Sequence, residues 1–426
     1  MKKLLLLAAL SFLSSNARQS SFLLETAAVN SMQQQQRRSR KWRKPRALRD
    51  FQEHANELTD DEFTRFYRVT RGRFTWLCDK LRSKLALRRS RISVEIKMAI
   101  TLRYLAGGEY LDIREMWGIR TQTFYTIIEH VIPRIAAIKN PDCPSLQDIL
   151  KMENKSQKSW HLHQIGMGFA ALTSGVFEGC VGCIDGLCIR ILRPLTGTTL
   201  PRVPNPSKFY NRKGFYALSM QGVCDAKRRI RSATIMCPGS VHDSLAYACS
   251  TLAFLIREGN LPQGLFLNGD DAYACDEQMV TPYPGRGLSV EKDSFNFYQS
   301  RVRINIECAF GMLHARWGIL WKPIQIRLDR FPTSIGALVV HNMSIDDQGS
   351  QHSPSMDGAC FSLLAGEDDA AMAPTSQGSV YSDYVEAAAV SGARRDLERC
   401  TQREIMSFML AQNKMRRPEH SKFSYM

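Results

Sequence analysis

Residues Phe295–Trp317 read FNFYQSRVRINIECAFGMLHARW, and their apolar side chains recur at the three- and four-residue spacing of an amphipathic helix. The apolar stripe consists of Val302, Ile306, Ala309, Phe310 and Leu313. One acid, Glu307, lies beside this stripe. An unpaired carboxylate is costly at a buried edge. The sequence therefore offers two interpretations: an i,i+4 ion pair with Arg303, or a bound metal ion.

Two earlier acids favour the metal interpretation, because each follows a strand-like run. Asp185 follows Val181–Ile184, and Asp270 follows Leu265-Phe-Leu-Asn-Gly. Three carboxylates that meet at one edge of a sheet repel each other unless cations lie between them, and oxygen ligands suit hard divalent ions such as Mg²⁺. Two such ions can activate an attacking hydroxyl and stabilise the leaving oxygen at phosphorus. Spacing alone does not identify which three of the 41 acids would form such a metal site.

Six short motifs around these acids are more specific, and they resemble those of the Harbinger-type transposases and the nucleases derived from them. The motifs follow the family's order and cover about residues 175–345: Val181–Gly186, Tyr210–Phe215, Gly239–Ser244, Gly269–Tyr273, Arg301–Gly311 and Val340–Asn342. The resemblance implies a DDE endonuclease domain on an RNase H-like fold. It also implies Asp185, Asp270 and Glu307 as catalytic ligands of Mg²⁺ or Mn²⁺. Asp271 is an alternative second acid, but the family pattern places the acid directly after the glycine.

The order of elements over 175–345 independently predicts a mixed α/β sheet with flanking helices. We expect strands at Val181–Ile184, where Gly186 would be a turn residue, at 211–225 and at Leu265–Asn268. A hairpin partner at Arg229–Met236 and a helix at Ser244–Arg257 complete the pattern. His242 and Asp243 also match a family motif. Asp243 or Ser244 would either cap the following helix or take part in catalysis.

Residues 51–140 have a helical pattern, and a looser Lys-rich connection follows at Pro141–His163. A helix at Ser93–Leu105 is followed by Asp112–Ile128, which has the pattern of a helix-turn-helix with its turn at Gly118. In that interpretation Arg120 and Gln122, at the start of the second helix, face DNA. The alternative is a plain helical hairpin.

The charge of the chain points to a polyanionic partner. There are 57 Lys or Arg residues against 41 acids, a net charge of +16, and residues 1–50 alone contribute +9. We predict that residues 18–50 are a disordered arm that either contacts DNA phosphates, imports the protein into the nucleus, or only solubilises it. Its basic cluster comprises Arg37, Arg38, Arg40, Lys41, Arg43 and Lys44.

Three further residues near the first acid are candidates for holding a phosphate: Tyr210, Arg212 and Lys213. A solvated loop is the alternative. The twelve cysteines include one C-x-x-C, Cys180 and Cys183, with no second pair at zinc-ribbon spacing. We therefore expect reduced core thiols.

The two ends of the chain complicate this interpretation. Residues 1–17 have the charged start, short apolar run and small residues of a secretory signal, in conflict with a nuclear location. The apolar run is too short to span a bilayer. Residues 346–426 are expected to be mostly disordered, with a helix within Arg394–Met415.

The predicted function is a metal-dependent endonuclease or transposase acting on double-stranded DNA. The alternatives are a domesticated DNA-binding protein without cleavage activity and, from residues 1–17 alone, a secreted protein of another role. The family resemblance implies a Myb-like DNA-binding partner. The oligomeric state, including a homo-oligomer, is left open.

Overall fold

The structure is a computed structural model that describes residues 47–86, 91–140, 143–197, 202–324, 336–348 and 400–412. The described residues from Arg49 onward belong to one compact unit. The signal-like segment, the basic cluster at 37–46 and most of the predicted tail lie outside the described residues. Among the described residues, no helix combines the length and apolarity needed to cross a membrane.

The N-terminal part is all-α, as predicted. Its helices are α1 (Phe51–Asn56), α2 (Asp60–Tyr67), α3 (Arg71–Leu85), α4 (Val94–Leu105), α5 (Tyr110–Met116) and α6 (Thr121–Ala136). Local sequence sets their starts: Thr59 and Glu62 form a capping box, and the Ser93 side chain accepts from the Ile96 N–H. α4 lies at the centre and packs against both α3 and α6. The helix-turn-helix pattern is present as α5 and α6, with Gly118 at a φ of 64° between them.

The predicted loose connection at Pro141–His163 is wrong, because two helices occupy most of it: α7 (Leu146–Leu150) and α8 (Lys155–Leu172). Asn154 caps α8 by accepting from the Gln157 N–H. The many Lys and His residues on the exposed side of α8 obscure its apolar face. That face packs on the first strand of the sheet, where Gly166 is required because a Cβ there would lie 2.4 Å from the Glu178 carbonyl oxygen.

The sheet is mixed, as predicted, with the strand order β3-β2-β1-β4-β5. The strands are β1 (Cys180–Arg190), β2 (Ala217–Cys224), β3 (Ile230–Pro238), β4 (Phe266–Asn268) and β5 (Met279–Val280). The pairs β1/β2 and β2/β3 are antiparallel, whereas β1/β4 and β4/β5 are parallel.

Two strand boundaries differ from the prediction. β1 does not end at Asp185 but continues through Gly186 to Arg190, because β2 pairs with it along that whole length. β2 is shorter than predicted and begins at Ala217, since the Asn211 side chain accepts from the backbone N–H groups of Lys213 and Phe215 and folds that segment into a turn.

The remaining helices are α9 (Asp243–Ala248), α10 (Thr251–Arg257), α11 (Val290–Arg316), α12 (Gly336–Gln348) and α13 (Cys400–Ala411). The predicted helix Ser244–Arg257 is thus two helices, because Ser250 starts a new one by accepting from the Ala253 N–H. α11 begins five residues earlier than predicted, after the Ser289 cap. α13 confirms the predicted C-terminal helix. The division into domains at 51–140 and 175–345 stays a prediction.

Candidate active site

The parallel pairing of β1 with β4 brings two of the predicted acids together. Cys183 is paired with Asn268, and Asp185 and Asp270 each come two residues later. The Asp185 side chain therefore points to the same face as that of Cys183, and Asp270 lies just past the end of β4. β4 has ended at this point, so the edge of β1 is open beside the two acids. This arrangement explains why the charge of Asp270 raises the pKa of Asp185.

Helix α11, which carries the third acid, is fixed to both strands immediately before the acids. The Cys183 thiol donates to the Val302 carbonyl oxygen at 3.1 Å. Asn268 Nδ2 donates to the Gln299 carbonyl oxygen at 3.1 Å, and Gln299 Nε2 donates to the Gly269 carbonyl oxygen at 2.7 Å. These three bonds place Gln299 at the end of β4 and Val302 at β1, and further along α11 Phe310 lies against Gly222 of β2.

Glu307 lies one turn beyond Arg303 on α11 and forms with it the i,i+4 ion pair that the sequence offered as the alternative to a bound metal ion. Arg303 Nη1 is 2.5 Å from Glu307 Oε1, and the two side chains are 29% and 31% exposed. Burial raises the pKa of both Asp185 and Asp270, and the charge of the same guanidinium opposes that rise. Arg303 is therefore the cation that links the three acids. The apolar stripe of α11 is buried as predicted.

Asp185 is partly buried, which makes its charge costly, and this loss of solvation is the main reason that its pKa rises to about 7. The charges of Asp270 and Asp243 raise the pKa further, while Arg303 and the Gly186 N–H, 2.7 Å from Oδ1, lower it. Burial also raises the pKa of Asp270. In the absence of a bound cation, its surroundings therefore favour the protonated form of Asp185 far more than water does.

The donor chemistry of the three acids fits a hard divalent cation, because all of their ligand atoms are carboxylate oxygens. Their present geometry is not that of an assembled metal site. Within the described ranges, no group of three or more His, Cys, Asp or Glu side chains is close enough to hold a metal ion. Glu307 is engaged by Arg303 and would have to exchange that partner for the cation.

Asp243 is a residue whose position the sequence did not reveal. The predicted cap by Asp243 or Ser244 is wrong, because the N-cap of α9 is His242, which makes no side-chain capping bond. The Asp243 carboxylate instead accepts from Gln221 Nε2 at 2.9 Å. The local pattern around Asp243 is that of a helix start, and only the fold shows its partner on β2.

The predicted DNA-contacting residues fall in two places. Arg120 and Gln122 are exposed at the start of α6. Arg212 and Lys213 are exposed in the turn before β2. Burial raises the pKa of Cys188, on the strand that carries Asp185, and the charges of Lys213 and Arg212 oppose that rise.

Tyr210 lies at the start of the same turn. Its side chain is half exposed, and its ring centroid is 5.1 Å from that of Tyr216. The two predicted basic positions of this turn and the aromatic ring thus lie just before β2, the strand that pairs with β1.

Comparison with known proteins finds a family match over the part of the chain that carries the three acids. Residues 184–342, which include all three acids, match the model of a family described as DDE superfamily endonuclease. Protein ALP1-like of Arabidopsis thaliana is 23% identical over 312 residues, covering 67% of this chain and 70% of its own length. Antagonist of like heterochromatin protein 1, also of Arabidopsis thaliana, is 24% identical over 318 residues, covering 67% and 74%.

A third relative matches a shorter part of this chain. HARBI1 of Mus musculus is 25% identical over 178 residues, covering 39% of this chain and 49% of its own length. This chain thus matches about half of that protein. No solved structure matches.

Proposed function

Because this chain belongs to the Harbinger family of transposase-derived nucleases, we propose that it is a divalent-metal-dependent endonuclease acting on double-stranded DNA. Its mixed sheet with flanking helices is the RNase H-like fold of such a domain. The observation that carries the proposal is the juxtaposition of Asp185 and Asp270 just beyond the last parallel pair of β1 and β4, with Arg303 and Glu307 on α11, which packs on the sheet.

Asp185, Asp270 and Glu307 would hold Mg²⁺ or Mn²⁺. When bound, the ions would supply Lewis-acid stabilisation of the attacking and leaving oxygens at phosphorus. Asp185 would give up its proton on binding the cation, because its pKa lies at about 7. Arg303, displaced from Glu307, would be available to donate to a phosphate oxygen of the DNA.

The DNA would approach the domain near the turn that precedes β2. Arg212 and Lys213 would contact phosphates, which position the duplex without reading its sequence, and Tyr210 would lie beside them. Arg120 and Gln122 would form a separate contact at the start of α6. The basic cluster at 37–46 is proposed as an additional phosphate-binding arm.

We also propose a nuclear location, since the substrate is DNA and the name of one relative describes an antagonist of a heterochromatin protein. A Myb-like DNA-binding partner remains part of this proposal. Localisation of a fluorescent fusion of the full chain would test the nuclear location. Entry into the secretory pathway would instead support the signal-like interpretation of residues 1–17.

The direct experiment is nicking of supercoiled plasmid DNA with Mg²⁺, with Mn²⁺ and with EDTA. We expect metal-dependent nicking that falls by at least about 10³-fold in D270N, as when one member of a cooperating catalytic set is removed. D61N is the matched control, because Asp61 is an exposed carboxylate on α2. Undiminished nicking by D270N would overturn the proposal.

A DNA-binding protein without cleavage activity is the second candidate. The Arg303–Glu307 ion pair favours it, because an internal cation already compensates the third acid. This candidate predicts DNA binding that weakens with salt and no nicking with either metal, so the same assay separates the two.

A further inference from the structure

The segment that joins β1 to β2 carries charge of one sign only. Residues 190–216 contain Lys and Arg side chains but no Asp or Glu. The basic residues are Arg190, Arg193, Arg202, Lys208, Arg212 and Lys213. Within the described part of the chain, no acid forms an ion pair with Arg190, Arg193 or Arg212. This uncompensated positive charge suits a polyanionic ligand.

Aromatic rings lie between these cations. The guanidinium carbon of Arg190 is 4.1 Å from the centroid of the Phe215 ring, and that of Arg193 is 6.0 Å from the centroid of Tyr216. Tyr216 in turn contacts Tyr210, with their centroids 5.1 Å apart and their planes at 68°. Attraction to the rings holds the two guanidinium groups in place. We call these five residues the aromatic–basic patch.

A short hairpin fixes the patch to the strand that carries the first acid. Tyr210 and Tyr216 are paired as an antiparallel bridge, and between them the Asn211 N–H donates to the Phe215 carbonyl oxygen at 2.9 Å. The Ile191 N–H donates to the Tyr216 carbonyl oxygen at 2.9 Å, which continues the pairing of β1 beyond its last residue. Since Ile191 comes six residues after Asp185, the patch lies roughly 20 Å along the sheet from that acid.

The exposure of Tyr210 is not explained by phosphate binding. The residue is 49% exposed. Among the described residues beyond its two chain neighbours, a Cβ at Gly214 would meet only the Tyr210 hydroxyl, at 3.8 Å, so the surface beside the ring is open. Phosphates need only cations, and Arg212 and Lys213 already supply them.

An exposed ring among cations matches the faces of nucleobases. In a duplex these faces are covered by the neighbouring base pairs, and a base must leave the stack before a side chain can reach its face. Unpaired bases stack on aromatic side chains while basic side chains follow the backbone of the strand. The combination of Tyr210 with Arg190 and Arg193 therefore favours a single strand over a duplex.

We propose that the aromatic–basic patch binds an unpaired segment of a DNA strand, with one base stacked on Tyr210 and the adjacent phosphates held by Arg190 and Arg193. Tyr216 supports the Tyr210 ring from behind. This inference rests on the proposed function in taking DNA as the polyanion. It adds the form of the DNA: a substrate that is opened or overhanging within a short distance of the bond that is cut.

The test is binding of the full chain to two fluorescein-labelled probes, an oligothymidylate and a blunt-ended duplex, measured by anisotropy in EDTA at constant salt. In Y210A we expect the affinity for the oligothymidylate to fall by about tenfold, as when one stacked base loses its partner, and the affinity for the duplex to stay unchanged. Y210F keeps the ring and should bind both probes like the wild type. Y210L keeps apolar bulk without a π face and should behave like Y210A.

F254A is the matched control, because Phe254 is another exposed aromatic residue, 56% exposed on α10. It should leave both affinities unchanged. An unchanged affinity of Y210A for the oligothymidylate, or an equal loss for both probes, would overturn the inference. If Y210A does not fold, as judged by thermal unfolding, Y210L decides by the same criteria.

The outcomes also separate this inference from the proposed function. Selective loss of single-strand binding in Y210A, together with a wild-type chain that does not nick DNA with either metal, would overturn only the nuclease. Metal-dependent nicking by a chain whose single-strand binding does not depend on Tyr210 would overturn only the stacking site. Binding of neither probe by the wild type would overturn both.

Discussion

Arg303 Nη1 lies 2.5 Å from Glu307 Oε1, one turn apart on α11. Burial raises the pKa of Asp185 and Asp270, and the charge of the same guanidinium opposes that rise. One basic side chain thus compensates three acids in the place where divalent cations are proposed. Metal binding would then be an exchange of cations, with Arg303 released towards the DNA.

This exchange predicts the behaviour of R303M. Without metal, the acids lose the cation that they share, so R303M should be less stable than the wild type by about 1 kcal/mol, a modest value because the ion pair is partly exposed. Saturating Mn²⁺ should stabilise R303M more than the wild type, since no arginine competes for Glu307. Thermal unfolding at pH 8 in EDTA and in Mn²⁺ measures both effects, and equal gains in the two proteins would contradict the exchange.

The raised pKa of Asp185 predicts a pH-dependent stability. Its folded-state pKa of about 7 lies above the ordinary value of 3.8, so between these values the folded state binds more protons than the unfolded state. The free energy of unfolding of the metal-free protein should therefore fall as pH rises through this window. The charges that act on Asp185 are those of Asp270 and Asp243, which raise its pKa, and of Arg303, which lowers it.

D185N isolates this effect, because Asn carries no charge. In EDTA, D185N should be more stable than the wild type at pH 8, and the difference should shrink at pH 5, where Asp185 is protonated. Denaturant titrations at the two pH values measure the difference. An equal difference at pH 5 and pH 8 would show that Asp185 does not titrate in this range.

The position of α11 depends on a glycine opposite the first acid. Gly222 is paired with Asp185 on the neighbouring strand, and a Cβ there would lie 2.8 Å from the Phe310 ring, three residues beyond Glu307. G222A should therefore push α11 away, with a loss of about 1–3 kcal/mol of stability and slower nicking.

G72A is the matched control. Gly72 lies in α3, and a Cβ there would meet nothing within 4 Å. Replacing an exposed helical glycine by alanine should stabilise the protein by about 0.5–1 kcal/mol and leave nicking unchanged. Denaturation and nicking of the two variants would separate steric displacement of α11 from a general effect of the substitution. Normal nicking by G222A would contradict this role of the glycine.

The turn before β2 is predicted to contact phosphates. The double variant R212A/K213A should bind duplex DNA more weakly at every sequence. The slope of log affinity against log salt should fall by about 0.9 for each DNA phosphate that the variant no longer neutralises. K84A, which removes an exposed lysine on α3, is the control. Filter binding over a salt series measures the slopes, and an unchanged slope in R212A/K213A would place the DNA elsewhere.

Local patterns were sufficient to predict the strands that precede Asp185 and Asp270 and the amphipathic stripe of α11, and they offered its ion pair only as the alternative to a metal ion. They could not give the parallel register of Cys183 with Asn268, which depends on a contact across 85 residues and decides that two of the acids meet. Nor could they distinguish a glycine that forms a turn from a glycine that leaves space for a neighbouring side chain in a strand. Gly186 resembles a turn residue in sequence, yet it lies in mid-strand because β2 pairs with β1 there, and its missing Cβ leaves room for the Asp243 carboxylate.

The most direct test of the site is cleavage of the polypeptide by Fe²⁺ and peroxide, since Fe²⁺ bound in place of Mg²⁺ generates hydroxyl radicals beside its ligands. Fragments mapped by mass spectrometry should end near Asp185, Asp270 and Glu307, and excess Mg²⁺ or the D185N substitution should suppress them. Cleavage near Asp185 and Asp270 but not near Glu307, or cleavage at unrelated positions, would contradict a single metal site formed by the three acids.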